Sequence, residues 1–515
     1  MKLPLSKLVI LLIGIGTSIY AREQTPIWRA KVDLSGQEQP LVVVIPSYNN
    51  AQYIERTLNS VFSQEYSNYR VVFIDDGSSD DSVQVMNQYI EENSDVADKI
   101  TFIQNDRRWR KLRNVYYAIH RHCADEEVVV MLDCDDFLAH PGVFKMINDL
   151  YADPDVWFMY GGDEPYPKVE AAAWGITKEN LSMPTPEEVI RDNSFRQYNW
   201  VYMHIRTFRA WLFKITPIDE MISARVAGFQ GKFYPACIDY IFIYPMLERA
   251  QWHMRYNPEF IYYWNADNPI NSFKVDRTLQ AASAAETREK EAYQPLVQEQ
   301  AYLLDKYDTA KADLIVFSDS TPDKLSQMLT SQEQWLSGVE SISVIYQADT
   351  EPIKQHYQQL TRAYPQIQWY DMQPSIPLTS VISYGTAEHC VLMRDTISML
   401  NPINFNKGIL ALEETGAYAF YYNLGASNGF IETANGHVGV PSQEIMDNWH
   451  VWKFSCDVSK AIKTHAPNMV LYRKADIMPL FRQYSNKIGV YLQQWENMLP
   501  DQNKVGIFLT NPSVK

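Results

Sequence analysis

Cysteine and positive charge are both scarce in this sequence. The five cysteines are odd in number, lie far apart in the 515 residues and form no CxxC pair. Neither a structural zinc site nor a disulfide framework is therefore expected. The 46 basic side chains are outnumbered by 62 acidic ones, which gives a formal net charge of −16. No basic run is strong enough to overcome that charge, so nucleic acid is not an expected partner.

Long apolar runs are scarce as well. One uncharged and largely apolar stretch follows Lys2 and Lys7 at residues 8–21. Its 14 residues are fewer than the roughly 18–20 that span a bilayer comfortably. A basic start, a short apolar core and small residues before Arg22 are typical of a secretory signal peptide, and a signal anchor is the alternative. We expect residues 1–21 to be one or the other, which predicts a protein that is membrane-anchored or exported.

Apolar runs that alternate with helical patterns divide the rest of the chain into two α/β regions. In the first region, strands are predicted at 41–45, 70–74, 99–103 and 127–132, and helices at 51–63 and 111–122. Such alternation indicates right-handed crossovers and a parallel sheet. A length of 515 residues fits two or three domains of roughly 150 residues each. The predicted parts are a first domain at 40–275, a helical linker at 276–312 and a second α/β domain at 313–515.

Polar clusters follow three of the predicted strands of the first region. They are PSYN at 46–49, DDG at 75–77 and DCDD at 133–136. Parallel sheets bind ligands outside the carboxyl ends of their strands, where these clusters lie. Two carboxylates at i and i+2, such as Asp133 and Asp135, can hold a hydrated Mg²⁺ or Mn²⁺ whose other ligands are phosphate oxygens. Acidic triplets are also common on solvated turns, so this motif needs support from the others.

Four motifs together resemble family 2 glycosyltransferases, which have a GT-A fold with a Rossmann-like, mixed and mostly parallel sheet. The motifs are VIPSYN at 44–49, IDDGSSD at 74–80, RN at 113–114 and LDCDD at 132–136. The resemblance implies transfer of a hexosyl or N-acetylhexosaminyl group, with inversion, from a nucleoside-diphosphate sugar to an acceptor hydroxyl. The expected donor is a UDP-sugar, and the expected cofactor is Mn²⁺ or Mg²⁺.

The same resemblance assigns roles to individual residues. Four side chains are expected to form the nucleoside pocket: Pro46, Tyr48, Asp75 and Asp76. Asp133 is expected on the ribose side and Asp135 as the metal ligand. Arg113 stands where the family has an arginine that contacts the base or the phosphates. Four arginines and one lysine within residues 107–113 face the diphosphate or, alternatively, form a solvated helix start.

A general base is expected further along the chain. The motif ACIDY at 236–240 precedes a helical pattern and matches the acidic helix start of the family. The resemblance therefore assigns the base to Asp239, although Ile238 stands where the family often has glutamate. A carboxylate suits this task because the acceptor oxygen becomes acidic only as the leaving group departs. Asp163 and Glu164 are the alternative pair.

The expected acceptor is a saccharide, a lipid or a protein, and all three classes stay open. The aromatic and basic segment 193–214 is a candidate acceptor groove, and helix packing explains its composition equally well. Its candidate residues are Tyr202, His204, Arg206, Phe208, Arg209 and Trp211. A processive polysaccharide synthase is not favoured because the sequence has neither a QxxRW motif nor a multi-helix membrane domain.

Residues 313–425 resemble a second, diverged glycosyltransferase-like domain. At its expected metal strand, Arg394 precedes Asp395 and only one carboxylate is present. We therefore expect the second domain to be non-catalytic, with an acceptor-binding or structural role.

Two other functional classes stay open for the whole protein. One is an inactive nucleotide-sugar-binding or scaffold protein; the other is a nucleotidyltransferase, disfavoured because residues 46–53 contain no glycine.

Overall fold

A computed structural model describes most of the chain in two α/β domains. The described residues are 38–168, 182–296, 307, 309–372, 378–397, 399, 401–427, 430–433, 436–446, 449–454, 468–483, 492 and 504–509. The predicted signal peptide or anchor at 1–21 lies outside them. Within the described ranges, no helix combines the length and apolar character needed to cross a membrane.

The first domain alternates strands and helices as predicted. In chain order its elements are β1 (Leu41–Ser47), α1 (Ile54–Phe62), β2 (Tyr69–Asp75), α2 (Ser82–Glu92), β3 (Ile100–Gln104), α3 (Lys111–His122), β4 (Val128–Met131), β5 (Phe137–Leu138), α4 (Val143–Tyr151), β6 (Phe158–Tyr160), β7 (Asp163–Tyr166), α5 (Glu187–Arg191), β8 (Arg206–Arg209), α6 (Ala210–Lys214), α7 (Ile218–Met221), α8 (Ile238–Ala250), β9 (Met254–Tyr256), β10 (Tyr262–Asn265), α9 (Ser272–Val275) and α10 (Arg277–Arg288). The four predicted strands and the helix at 111–122 are confirmed to within two residues.

Across the described part of this domain, the main sheet has seven strands in the order β3-β2-β1-β4-β8-β6-β9. Strands β1 to β4 are mutually parallel, and β8 pairs antiparallel with β4. Ser47 at the end of β1 lies beside Asp75 at the end of β2. Val44 pairs with Met131, so the 133–136 cluster begins just beyond the same edge. The predicted fold class and the meeting of the polar clusters at one edge are therefore confirmed.

Apolar helices cover both faces of this sheet. One face packs against α1 through Leu58 and Val61, and the other against α3 through Val115 and Ile119; all four side chains are fully buried. Each such aliphatic side chain contributes about 1.5–3 kcal/mol through removal from water. This two-sided burial explains why β1 is a continuous apolar run rather than an alternating one.

The second domain follows the same pattern. Its elements are β11 (Ala312–Asp319), α11 (Pro322–Trp335), β12 (Leu336–Ser337), β13 (Val339–Gln347), α12 (Glu351–Ala363), β14 (Gln368–Asp371), α13 (Leu378–Tyr384), β15 (His389–Arg394), β16 (Ile403–Asn404), α14 (Phe405–Thr415), β17 (Ala419–Tyr421), β18 (Leu424–Ser427), β19 (Phe430–Thr433), β20 (Gly436–Pro441), β21 (Gln443–Met446), β22 (Trp449–Lys453), β23 (Asn468–Arg473), α15 (Lys474–Ile477) and β24 (Val505–Leu509). Over the residues described here, its main sheet runs β14-β13-β11-β15-β23-β17-β24-β22-β21.

The two main sheets share one topology over seven positions. Strands β14, β13, β11 and β15 are parallel, as β3, β2, β1 and β4 are in the first domain. The next three strands, β23, β17 and β24, join antiparallel, antiparallel and parallel. Strands β8, β6 and β9 join the first sheet with the same directions. The second domain thus repeats the strand order of the first, with β22 and β21 added at its edge.

The predicted linker at 276–312 contains a helix that belongs to the first domain. Helix α10 packs against α8. Its Glu286 is buried and accepts hydrogen bonds from the Ala224 amide at 2.6 Å and the Ser223 hydroxyl at 2.9 Å. Because these bonds fix the helix to the domain, α10 is an integral element and not a spacer.

The domains touch along α3 and the loops beside it. Arg121, in the last turn of α3, forms a bidentate ion pair with buried Glu414 of α14. Near the other end of the helix, Arg107 pairs with Glu444 of β21 at 3.5 Å. The Phe233 amide donates to Gln443 Oε1 at 2.7 Å. Helix α3 therefore contacts the second domain near both of its ends.

Candidate functional site

The loops after β1 and β2 are tied to each other at the carboxyl edge of the first sheet. The Asn49 amide donates to Ser78 Oγ at 2.9 Å, and Asn49 Oδ1 accepts from the Ser79 amide at 2.8 Å. Between them, Gly77 has φ +67, and a Cβ there would lie 2.7 Å from the backbone carbon of Arg107. A larger residue does not fit this turn, so the DDGS loop packs directly on the loop that precedes α3.

Asp75 and Asp76 are both buried but have different surroundings. Asp75 Oδ2 accepts from the Ser78 amide at 3.0 Å, whereas Oδ1 is buried without a partner in the described structure. Asp76 accepts from the amides of Trp109 at 2.7 Å and Arg110 at 2.8 Å, one on each oxygen. Asp75 therefore keeps a buried acceptor without a partner, while Asp76 fixes the loop that leads into α3. That role of Asp76 was not predicted.

The predicted base-binding residues surround this edge. Pro46 is buried and lies in register with Ile74 on β2, and Tyr48 is half-buried with the Arg108 guanidinium 3.9 Å from its ring centre. Arg113 is buried with its guanidinium 4.2 Å from the Trp109 ring. Burial lowers the pKa of Arg113, and Glu444 opposes that shift. One face of the Tyr48 ring is thus covered by Arg108, and Arg113 stacks on Trp109; contact of either side chain with a base stays a prediction.

Asp133 forms an ion pair that the sequence did not predict. The Lys111 ammonium lies 2.5 Å from Asp133 Oδ1 and 2.8 Å from Oδ2, so it spans both oxygens. Burial alone would raise the pKa of Asp133, but the charges of Lys111 and Arg206 outweigh burial and hold it below its ordinary value. Asp133 is therefore ionised, and Lys111, the first residue of α3, neutralises its charge.

The two following carboxylates are held by β10 and by the segment that follows it. Asp135 Oδ2 accepts from Asn268 Nδ2 at 2.7 Å, and burial, with the charge of Asp133, raises the pKa of Asp135 to about 6. Asp136 accepts from the Tyr262 hydroxyl at 2.5 Å and the Asn265 amide at 2.6 Å. Burial also raises the pKa of Asp136. Strand β10 thus positions Asp136, and the segment after it positions Asp135.

A candidate cation site combines Asp133, Asp136 and His204. One ligand atom from each lies within 4.8 Å of the others. Burial, followed by the charge of Arg206, lowers the pKa of His204 to about 3, so its imidazole is neutral and keeps a free lone pair. Two carboxylates and a neutral imidazole suit Mn²⁺ or Mg²⁺, and these residues therefore fit the implied ion. Asp135, the predicted ligand, lies outside this trio, and its role as a ligand stays a prediction.

Asp239 reaches the same site from the first turn of α8. Its Oδ1 accepts from Arg206 Nη1 at 2.7 Å, and Arg206 Nε donates to the Tyr202 carbonyl at 2.9 Å. The charge of Asp239 helps Asp133 to raise the pKa of Lys111, and it opposes the lowering of the pKa of His204. The side chain is 30% exposed and so is open to a substrate.

Asp163 and Glu164, the alternative candidates for the base, are each engaged by another side chain. Asp163 is buried and accepts from the Ser182 hydroxyl at 2.6 Å. Glu164 forms an exposed ion pair with Lys168 at 2.7 Å. Asp239 is therefore the better placed of the predicted bases.

Residues 42–212 match the family profile described as Glycosyl transferase family 2. This segment is a family 2 glycosyltransferase domain. An uncharacterized glycosyltransferase of Haemophilus influenzae is 31% identical over 110 residues, which cover 21% of this chain and 42% of that protein. A second, from Nostoc, is 34% identical over 114 residues, with 22% and 33% covered. The chain thus spans less than half the length of these relatives.

Solved structures show distant likeness. A mannosyltransferase from Pyrobaculum calidifontis, in complex with GDP-Man and Mn²⁺, is 16% identical, covers 52% of this chain and 68% of its own, and has a TM-score of 0.33.

Most of the predicted acceptor groove of the glycosyltransferase domain is core. Tyr202, Phe208 and Trp211 are fully buried. Arg209 is also buried and donates to Gln39 Oε1 at 3.0 Å and to the Tyr151 carbonyl at 2.8 Å. The groove prediction is wrong for these four residues, because their side chains are buried in the packing of the domain. His204 and Arg206 are the members of that segment that reach the site.

The second domain keeps the sheet of the glycosyltransferase domain but not its acidic cluster. Val316 of β11 pairs with Met393 of β15, as Val44 pairs with Met131, so Asp395 stands where Asp133 stands. Gln347 ends β13 at the position of Asp75. Two residues beyond Asp395, at the position of Asp135, the sequence has Ile397.

Proposed function

We propose that the glycosyltransferase domain transfers a sugar from a nucleoside-diphosphate sugar to an acceptor hydroxyl, with a divalent cation and with inversion at the anomeric carbon. The observation that carries this proposal is the arrangement of the Asp133, Asp136 and His204 cluster beside Asp239. A cation-binding cluster next to an accessible carboxylate supplies the two functions that the reaction needs at one edge of the sheet.

A bound Mn²⁺ or Mg²⁺ would neutralise the diphosphate as it leaves, and Asp133, Asp136 and His204 would hold it. Asp75 Oδ1 would accept an N–H of the base, in a loop closed by Gly77. Asp239 would take the proton from the acceptor hydroxyl while that oxygen bonds to the anomeric carbon and the bond to the diphosphate oxygen breaks. Arg206 would orient Asp239 for this step. Attack opposite the leaving group inverts the anomeric carbon.

The finer assignments belong to the same proposal. UDP-sugars are the first donors to test, and the transferred group is a hexosyl or N-acetylhexosaminyl unit. The acceptor is a saccharide, a lipid or a protein. We also propose that the second domain does not transfer sugar, because Gln347 and Ile397 stand where Asp75 and Asp135 stand in the first domain.

We further propose that residues 1–21 anchor or export the protein. N-terminal sequencing of the mature protein tests this, since cleavage after that segment supports a signal peptide and an intact terminus supports an anchor.

The decisive experiment measures nucleoside diphosphate released from UDP-glucose, UDP-N-acetylglucosamine and GDP-mannose in the presence of Mn²⁺. We expect release from one donor by the wild type and none by Asp133→Asn. Binding of a donor without release, by the wild type and Asp239→Asn alike, would favour a nucleotide-sugar-binding protein. Failure of the wild type both to bind and to turn over every donor would overturn the proposal.

A further inference from the structure

Lys111 pairs with Asp133, a carboxylate that a divalent cation would also bind. Its ammonium spans both oxygens of Asp133, at 2.5 and 2.8 Å. Asp133 is also a member of the candidate cation cluster with Asp136 and His204. An ammonium that bridges both oxygens of a carboxylate blocks much of the space in which a metal ion would bind it. Lys111 and a divalent cation are therefore competitors for Asp133.

The neighbouring cations are engaged by other groups. Arg206 donates to Asp239 at 2.7 Å. Within residues 107–113, three guanidiniums lie over aromatic rings: Arg108 over Tyr48 at 3.9 Å, Arg110 over Phe229 at 4.7 Å and Arg113 over Trp109 at 4.2 Å. If a metal ion takes Asp133, Lys111 is the cation whose partner is removed. Its side chain is 34% exposed, so it has room to turn toward a ligand.

We propose that Lys111 exchanges partners when the donor is bound: it pairs with Asp133 in the absence of metal, and binds the diphosphate oxygens once the cation has taken Asp133. This inference rests on the proposed function. Lysine suits the exchange because its charge sits at the end of a flexible four-carbon stem with three rotatable donors. The incoming diphosphate supplies the negative charge that Asp133 no longer offers to the ammonium. The exchange leaves neither charge unpaired.

The exchange predicts effects of opposite sign for one substitution. Lys111→Met removes the competitor for Asp133, so Mn²⁺ alone should bind at least about three-fold more tightly than to the wild type. The same variant loses a charge-assisted hydrogen bond to the diphosphate, so UDP should bind at least about five-fold more weakly at saturating Mn²⁺. Lys111→Arg keeps the charge and should retain most of the UDP affinity. A purely structural lysine would instead lower both affinities together.

The test is isothermal titration of Mn²⁺, and then of UDP with saturating Mn²⁺, into the full chain and its variants, with GDP used where the wild type prefers it. Lys145→Met is the matched control, because Lys145 forms an exposed pair with Asp149 on α4 and should change neither affinity. Thermal melting establishes that each variant folds. Unchanged or weaker Mn²⁺ binding by Lys111→Met, or UDP affinity within two-fold of the wild type, overturns the exchange. If the wild type binds neither nucleotide, the proposed function fails as well, which distinguishes the two failures.

Discussion

Asp395 of the second domain holds the sheet position that Asp133 holds in the first, but its partners are hydroxyl groups instead of a lysine. Its Oδ2 accepts from Ser318 Oγ and Thr321 Oγ1, both at 2.5 Å, and the side chain is buried. The same position in one topology is thus an anion paired with lysine in the first domain and a buried acceptor of hydroxyl hydrogen bonds in the second.

Exchange of each aspartate for asparagine should separate these roles. Asp133→Asn should abolish metal-dependent turnover and leave the protein folded. Asp395→Asn should leave kcat unchanged and lower the free energy of unfolding by about 1 kcal/mol, because an amide oxygen accepts the two hydroxyl hydrogen bonds more weakly than a carboxylate does. Turnover assays and chemical denaturation of both variants check this pair. Loss of turnover in Asp395→Asn at wild-type stability would contradict a non-catalytic second domain.

Asp239→Asn should lower kcat by at least about 100-fold, since general base catalysis typically contributes a factor of 10²–10⁴. The donor affinity should change little, because the carboxylate faces Arg206 and not the nucleoside pocket. Steady-state kinetics at saturating donor measure both quantities. Asp163→Asn serves as the comparison, and an equal loss of kcat there would move the base to the alternative carboxylate.

Asp135→Asn should raise the melting temperature at pH 8. Burial and the charge of Asp133 raise the pKa of Asp135 to about 6, so its ionised form is disfavoured by the fold. A carboxyl group whose folded pKa lies above the unfolded value contributes stability at low pH that is lost as the pH rises through about 6. The advantage of the variant should therefore shrink between pH 7 and pH 4. Melting curves across that range, without metal, check the sign; an advantage that grows on acidification contradicts it.

Glu414→Gln should destabilise the protein far more than Glu289→Gln. Glu414 is 5% exposed and pairs with Arg121 across the domain contact, whereas Glu289 and Arg225 are each about 60% exposed. Removing one partner of a buried pair costs about 3–5 kcal/mol, while exposed pairs contribute about 0–1 kcal/mol. Denaturant titration measures both variants. Equal effects would show that the contact along α3 does not hold the domains together.

The sheet and its binding edge followed from the sequence because buried parallel strands are continuous apolar runs. Helix α3 was predictable because Leu112, Val115 and Ile119 recur at helical spacing. His204 was not predicted as a cation ligand because it is far from Asp133 along the chain and reaches it only when β8 pairs with β4. The ion pair between Lys111 and Asp133 could not be predicted either, because residues 107–113 contain several basic side chains. Nothing in the local sequence distinguishes the one that faces Asp133.

Helix α3 carries Lys111 at the acidic cluster and, in its last turn, Arg121, which forms the ion pair with Glu414 of the second domain. Twelve residues of helix span about 18 Å, and a rod of that length transmits a displacement at one end to the other. A fragment that stops before residue 313 would lose the ion pair between Arg121 and Glu414 as well as the second sheet. An inactive fragment would therefore be the expected result of cutting the chain there, even if every atom that touches the sugar belongs to the first domain.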